Sequence, residues 1–129
     1  MAGKYHENCF ACGRKFQNGL GLQFRLVNDN AVSAEYSIKD DYQGYDNISH
    51  GGIISTILDS SMVNLFYLKD GLQLKTAKLT VKFRKPVPVG TKISIKAFSE
   101  NDERHFYKAR ALISVDDFVY AEAEGYFRK

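Results

Sequence analysis

The stretch from Ser49 to Leu68 constrains the fold more than any other part of the chain. After His50 it holds a single charged residue, Asp59, although 26% of the whole chain is charged. A helix with one side in water would carry Lys or Glu on most turns, so this stretch predicts a helix buried nearly all round. Its polar residues are too frequent for a membrane span: Ser55, Thr56, Asp59, Ser60, Ser61 and Asn64. We therefore expect a central helix, roughly 27 Å long, wrapped in protein.

Asp59 is the polar group that such a helix has to accommodate. An ionised carboxylate in an apolar interior is costly unless a partner pairs with it, and no Lys or Arg lies within one turn. In one interpretation Asp59 is structural and is hydrogen-bonded to Ser55 or Thr56, one turn earlier. In the other it is a general base or nucleophile at a cleft, where burial raises its pKa toward the range useful for proton transfer.

Gly51 and Gly52 open the predicted helix. The first N–H groups of a helix have no intrahelical acceptor and lie at the positive end of the helix dipole, and glycine adds no side chain to block a ligand. An oxyanion hole is therefore possible here. The alternative is that the two glycines only allow close packing at the start of the helix.

Composition indicates one domain, 1–129, with an N-terminal segment over 1–19. The chain has 129 residues, a net charge of +3 and 44% hydrophobic residues, which is typical of a soluble globular domain and too weakly basic to indicate nucleic acid. The start, Met1 to Asn8, is short and polar, so we expect no signal peptide or membrane anchor, and a cytoplasmic location. One segment is rich in positive charge and predicts either a solvated strand face or a site for a phosphorylated molecule: Lys75, Lys78, Lys82, Arg84 and Lys85.

Both cysteines of the chain lie in one motif, Cys9-x-x-Cys12, with His6 three residues ahead of it. These residues supply at most three ligands where structural zinc takes four, so a metal site would need another chain, and we expect neither metal nor cofactor. A redox dithiol is the alternative, but the motif does not open a helix after a strand. The favoured interpretation is a tight turn with reduced, partly buried thiols.

Alternating apolar and polar residues predict two strands before the helix and four after it. The predicted strands are Leu22–Leu26, Ala31–Ile38, Lys78–Arg84, Lys92–Ser99, Arg104–Val115 and Phe118–Arg128. Asp70-Gly71 is expected to end the helix. The fold class is therefore α+β, with an antiparallel sheet that curves round one helix.

Such a sheet covers only part of an apolar helix, so the chain is expected to pair with a second copy. The chemistry points the same way. Gly51 and Asp59 are about 12 Å apart along a straight helix, whereas reacting groups have to meet within about 3.5 Å. Two antiparallel helices on a two-fold axis would bring Gly51 of one subunit beside Asp59 of the other.

The motif His50-Gly51-Gly52, followed by Asp59 nine residues after the histidine, resembles the hotdog-fold thioesterases of the PaaI type, relatives of 4-hydroxybenzoyl-CoA thioesterase. The strand ending Phe83-Arg84-Lys85-Pro86-Val87 adds to the match, which runs from about Leu20 to the end. The resemblance implies a curved antiparallel sheet around one long helix, an acyl-CoA substrate, and a homodimer or homotetramer with active sites between subunits.

The resemblance also implies roles for single residues. Asp59 would be the catalytic carboxylate, and the Gly51 N–H would polarise the thioester carbonyl. His50 would orient the thioester or the start of the helix, and Thr76 would supply a hydroxyl that helps position water. Thioester hydrolysis by such a set needs no metal, and the sequence leaves Asp59 open as nucleophile or as general base.

Further positions match the family only in part. Lys82, Arg84 and Lys85 would meet the coenzyme A phosphates. Relatives often carry Asn or Gln six residues before the histidine, whereas this chain has Gly44 there and Gln43 beside it, so Gln43 is the candidate for that role. The alternative from another functional class is an acyl-CoA binding protein without catalysis, in which Asp59 is structural.

Overall fold

The computed structural model describes residues 6–15, 18–100 and 107–129, and in them one long helix packs on a six-stranded sheet. The elements in chain order are β1 (Arg25–Asn28), β2 (Ala31–Ser37), a short 3-10 turn (Asp40–Tyr42), α1 (Gly51–Asp70), β3 (Lys75–Phe83), β4 (Lys92–Glu100), β5 (Tyr107–Val115) and β6 (Phe118–Arg128). The strands lie in the order β1-β2-β4-β5-β6-β3, and every neighbouring pair is antiparallel. The predicted α+β class is confirmed.

The central helix is the one that the sequence predicts. It begins after His50, and it ends where Gly71 adopts a left-handed backbone (φ 70°) and donates its N–H to the carbonyl of Tyr67. From Ile53 to Lys69 no residue is fully exposed. Although α1 is long and apolar enough to cross a bilayer, half of that span is buried inside this fold, as a core helix would be.

Small residues on the sheet allow the helix to lie close to it. Ala97, Ala111 and Ala123 are buried and stand in register across β4, β5 and β6. We call these three the alanine row. At the neighbouring Gly125 an added Cβ would come within 3.0 Å of the terminal methyl of Met62 on α1. The helix can therefore lie close to the sheet along this row, while large buried side chains such as Ile95 and Ile113 pack beside it.

The first strand differs from the prediction. Leu22–Leu26 was expected to form it, but β1 spans Arg25–Asn28. The reason is a competing partner, because the N–H groups of Leu20 and Leu22 donate to carbonyls of the N-terminal loop. That pairing buries both leucines before the chain reaches β2. The first three residues of the predicted strand Arg104–Val115 lie outside the described residues.

Strand β3 starts three residues earlier than predicted and is the outermost strand beside β6. Leu79 and Val81 pack against the core, as expected from their alternation. Phe83 follows the same alternation but is 56% exposed in the single chain. The strand reaches the first turn of α1 there, so the helix does not cover the ring; an added Cβ on Gly51 would be 3.7 Å from it.

Candidate active site

The carboxylate of Asp59 meets the outer strand of the sheet. Thr76, at the start of β3, donates its hydroxyl to Asp59 Oδ1 at 2.6 Å. The hydroxyls of Ser55 and Thr56 donate instead to helix carbonyls one turn earlier, at 3.0 and 2.8 Å. The structural interpretation based on those two hydroxyls is therefore wrong, and the hydroxyl that Asp59 accepts belongs to Thr76, which the resemblance assigned to positioning water.

Burial raises the pKa of Asp59, and the hydrogen bond from Thr76 opposes this by a smaller amount. Among the described residues no Lys, Arg or His forms an ion pair with Asp59. Asp59 is thus a half-buried carboxylate held by one hydroxyl, without a cation to stabilise its charge. Such a group accepts a proton more readily than an ordinary surface carboxylate does.

The start of α1 leaves one backbone donor available. His50 caps the helix, because its Nδ1 accepts the N–H of Gly52 at 2.8 Å. Within the described part of the chain, the neighbouring N–H of Gly51 has no acceptor. The predicted oxyanion donor is therefore open, and His50 shapes the helix start beside it.

Gly51 and Asp59 line different cavities of the chain. Gly51 lies in a cleft of about 340 Å³, here called the Gly51 cleft, whose other lining residues are Tyr45, Ile48, Ser49, Ile54, Phe83, Arg84, Lys85, Pro86, Val87 and Ala121. Asp59 lies in a cavity of about 210 Å³, here called the Asp59 cavity, with His6, Cys9, Phe10, Ala11, Thr56, Ser60 and Val63. One chain does not bring the two groups together.

Gln43 is near the site, but its side chain is occupied. It lines a third cavity with His50, Gly52 and Thr56. Its amide nitrogen donates to the carbonyl of Asp40 at 2.9 Å, and its oxygen accepts the N–H of Asn47 at 2.7 Å. These bonds fix the loop before α1, so the structure shows a loop-holding contact for Gln43 and no free amide aimed at a thioester.

The three basic candidates differ in their surroundings. Arg84 forms an ion pair with Glu122 at the Gly51 cleft. Lys85 lines the same cleft, and its ammonium lies 5.7 and 5.6 Å from the ring centres of Phe118 and Tyr120. Lys82 is exposed on β3 and does not line the cleft. The structure thus brings two of the three predicted cations to the Gly51 end of the molecule.

Two further residues of the Gly51 cleft were not singled out from the sequence. The hydroxyl of Ser49 is buried and has no hydrogen-bond partner in the described part of the chain, which is unusual for a polar group. Its position directly before His50 was the available signal. Tyr45 is 86% exposed at the rim of the cleft, and no pattern in the sequence marks it.

The N-terminal loop contains the predicted tight turn. The N–H of Gly13 donates to the carbonyl of Cys9 at 2.9 Å, and both cysteines are free and half-buried. Burial raises the pKa of the Cys12 thiol to about 11. A redox dithiol needs an accessible thiolate near neutral pH, so this environment does not favour one.

The sequence is similar to acyl-CoA thioesterases. No family model matches the chain. It is 33% identical over 119 residues to acyl-coenzyme A thioesterase THEM4 of Xenopus laevis, covering 88% of this chain and 53% of that protein. The bovine protein of the same name is 27% identical over 121 residues, covering 90% and 49%. The chain thus spans about half the length of the curated relatives it matches.

Solved structures share the fold. A thioesterase superfamily protein superposes with a TM-score of 0.82 at 19% identity, over 92% of this chain and 61% of the other. The PaaI protein of Escherichia coli, from the phenylacetic acid degradation operon, superposes with a TM-score of 0.76 at 14% identity, over 85% and 84%. The predicted hotdog fold and the resemblance to PaaI-type proteins are confirmed.

Proposed function

Because the chain has the hotdog fold and is similar in sequence to acyl-CoA thioesterases, we propose that it hydrolyses acyl-CoA thioesters at sites built from two copies of itself. Asp59 of one subunit attacks the thioester carbonyl or activates the water that does so. The Gly51 N–H of the other subunit stabilises the oxyanion that forms on the carbonyl oxygen. The products are the free acid and coenzyme A.

The observation that carries this proposal is the Asp59–Thr76 pair. Asp59 has no cationic partner among the described residues, and burial raises its pKa, which makes it a better proton acceptor than an ordinary carboxylate. As a general base it takes a proton from water, the resulting hydroxide adds to the carbonyl, and the C–S bond breaks as coenzyme A leaves. As a nucleophile it forms a mixed anhydride that water then hydrolyses. Thr76 orients the carboxylate in both routes.

A second subunit supplies what one chain lacks. Gly51 and Asp59 lie about 12 Å apart along α1 and open into separate cavities. Strand β3 runs from the Asp59 end of the site to the Gly51 end. It is an outer strand, and seven of its nine residues are exposed. Long exposed edge strands are usually covered in natural proteins. We infer a dimer, or a dimer of dimers, with α1 helices antiparallel across a two-fold axis.

The decisive measurement is the turnover of a panel of short, medium, long and aryl acyl-CoAs. The release of the free thiol measures that turnover. We expect hydrolysis of at least one class well above the uncatalysed rate. Tight binding of an acyl-CoA with no turnover across the panel would instead establish the alternative, an acyl-CoA binding protein of the same fold.

Lys85→Ala is expected to raise the KM for the best acyl-CoA more than it lowers kcat. The lysine would touch the remote phosphates, which bind alike in the ground state and the transition state. Arg84→Ala should act in the same direction but more weakly, because Glu122 already neutralises part of the Arg84 charge. Steady-state kinetics test both changes. Lys96→Ala, an exposed lysine on β4, is the matched control, and an unchanged KM in both cleft variants would contradict phosphate binding here.

Asp59→Asn is expected to raise Tm at pH 7 by a few degrees but not at pH 4. The pKa of Asp59 is higher in the folded than in the unfolded chain, so its stabilising contribution is present below the unfolded pKa of about 3.9. That contribution is lost as pH rises through the folded pKa. Calorimetry at both pH values measures the difference. Asp70→Asn on the same helix serves as control, and a variant less stable than the parent at pH 7 would argue for a hidden partner of Asp59.

A further inference from the structure

We propose that His6, Cys9 and Cys12 bind one Zn²⁺ ion whose fourth coordination position opens into the Asp59 cavity. The sequence alone gave three possible ligands and no reason to expect that they converge. In the folded loop one ligand atom from each residue lies within 4.8 Å of the other two. The proposal concerns metal binding and does not depend on the hydrolytic function.

One of the three donor separations already matches that of a tetrahedral zinc site. Cys12 Sγ lies 3.5 Å from His6 Nδ1. With Zn–S bonds of about 2.3 Å and Zn–N bonds of about 2.0 Å, a tetrahedron separates sulfur from nitrogen by about 3.5 Å and two sulfurs by about 3.8 Å. The other two separations are at most 4.8 Å, so side-chain shifts of about 1 Å would bring all three donors onto one ion. Zinc with three protein ligands and one water is an established arrangement for sites that open to a cavity.

The loop is folded so tightly that the donors are already positioned. A Cβ on Gly13 would lie 2.4 Å from the carbonyl oxygen of Glu7 and 2.5 Å from the nitrogen of Cys9, so only glycine fits there. His6 adopts a left-handed backbone (φ 54°), and its carbonyl accepts the N–H of Cys9 at 2.9 Å. The N–H of Ala11 donates to Cys9 Sγ at 3.4 Å, a contact that stabilises a thiolate ligand.

The helix supports the other side of the loop. Asn64 of α1 lies beside Cys12 at one small cavity, and Ser60, one turn earlier, lies beside Cys9 at the Asp59 cavity. Asn64 is itself held by a bond from its amide nitrogen to the carbonyl of Ser60, at 2.8 Å. Such outer contacts orient metal ligands and raise affinity. They also place the proposed ion between the N-terminal loop and the central helix, so that it would fasten one to the other.

The fourth position faces the candidate active site. His6 and Cys9 form one wall of the Asp59 cavity, together with Thr56 and Asp59. In the described ranges no further His, Cys, Asp or Glu joins the donor set. A water molecule would complete the coordination, and the ion would become part of the wall against which the substrate lies.

Metal content of the reduced, full-length protein tests the proposal. After removal of metal and addition of Zn²⁺ alone, we expect about one equivalent per chain by mass spectrometry of the metal. Cys9→Ser and His6→Ala should each lower that occupancy at least tenfold, the scale of losing a ligand or its support. Glu7→Gln, in the same loop and paired with Lys15, is the control and should keep the metal.

Co²⁺ gives a readout on the unaltered chain, so the proposal stays testable even where a variant fails to fold. We expect thiolate-to-cobalt charge-transfer bands and the intense visible bands of a tetrahedral ion, and a Tm that falls by about 4 °C or more when the metal is removed. Less than a tenth of an equivalent of zinc with no cobalt spectrum would overturn the proposal. So would metal that remains in both ligand variants, or a Cys9–Cys12 disulfide that persists under reducing conditions.

Discussion

Asp59→Asn should lower the turnover of the best acyl-CoA by two or more orders of magnitude, with the fold intact. The amide keeps the shape of the carboxylate and its contact with Thr76, but it neither accepts a proton from water nor attacks a carbonyl. A lost general base typically costs about 10²- to 10⁴-fold. Steady-state kinetics on the purified variant give the ratio, with binding of the acyl-CoA measured separately.

Asp70→Asn is the matched control for this experiment. It makes the same chemical change on the same helix, but Asp70 is exposed and pairs with Lys69, remote from both cavities. We expect parental turnover from it. An Asp59→Asn protein that folds and hydrolyses its substrate as fast as the parent would remove Asp59 from the mechanism and return it to a structural role.

Activity should reappear when two inactive variants share a dimer. Asp59→Asn lacks the base, and Gly51→Pro lacks the N–H proposed to bind the oxyanion. The two chains are unfolded together and refolded. In a mixed dimer, one site combines the intact Gly51 of the first chain with the intact Asp59 of the second. With random pairing half of the dimers are mixed and each has one good site, so we expect about a quarter of parental activity.

The structure makes Gly51→Pro a clean substitution. Proline is favoured at the first position of a helix, and the extended backbone of His50 (φ −60°, ψ 134°) suits a residue that precedes proline. Gly51→Ala adds a side chain but keeps the N–H, and its Cβ would be in ordinary contact with Phe83. It should therefore stay active. If the refolded mixture has no activity while both variants form dimers, the site lies within one chain.

The sequence predicted the helix well because residues close together in the chain determine where it begins and ends. An uncharged run with a capping His50 and a terminal Gly71 admits few other structures, and the strand periods after it are equally regular. The first strand was misplaced because its leucines pair with the N-terminal loop, a contact that strand periodicity does not encode. The exposure of Phe83 could not be predicted for a related reason, since alternation gives the face of a strand but not how far a helix covers it.

Some residues of the candidate site could likewise be predicted from the sequence, and others could not. Asp59 and Gly51 could be identified as candidates from the sequence alone. One is a carboxylate in a stretch without other charges, and the other is a glycine at the start of the helix. Thr76 came from the family resemblance, because its contact with Asp59 joins a helix to a strand and follows no spacing. The convergence of His6 with two thiols, and the unpartnered hydroxyl of Ser49, depend on the path of two loops, which no spacing in the sequence encodes.

The alanine row has a consequence for how such a chain can change over time. It sets the distance between α1 and the sheet. That distance in turn sets the separation of Asp59 on the helix from Thr76 on the sheet, across which the hydrogen bond forms. We therefore expect a larger residue at Ala111 to alter this contact, although Ala111 lines neither the Gly51 cleft nor the Asp59 cavity. Substitutions that put larger side chains in this row would push the helix away from the sheet. The surface of the chain could therefore vary freely in evolution, whereas these three buried side chains have to stay small.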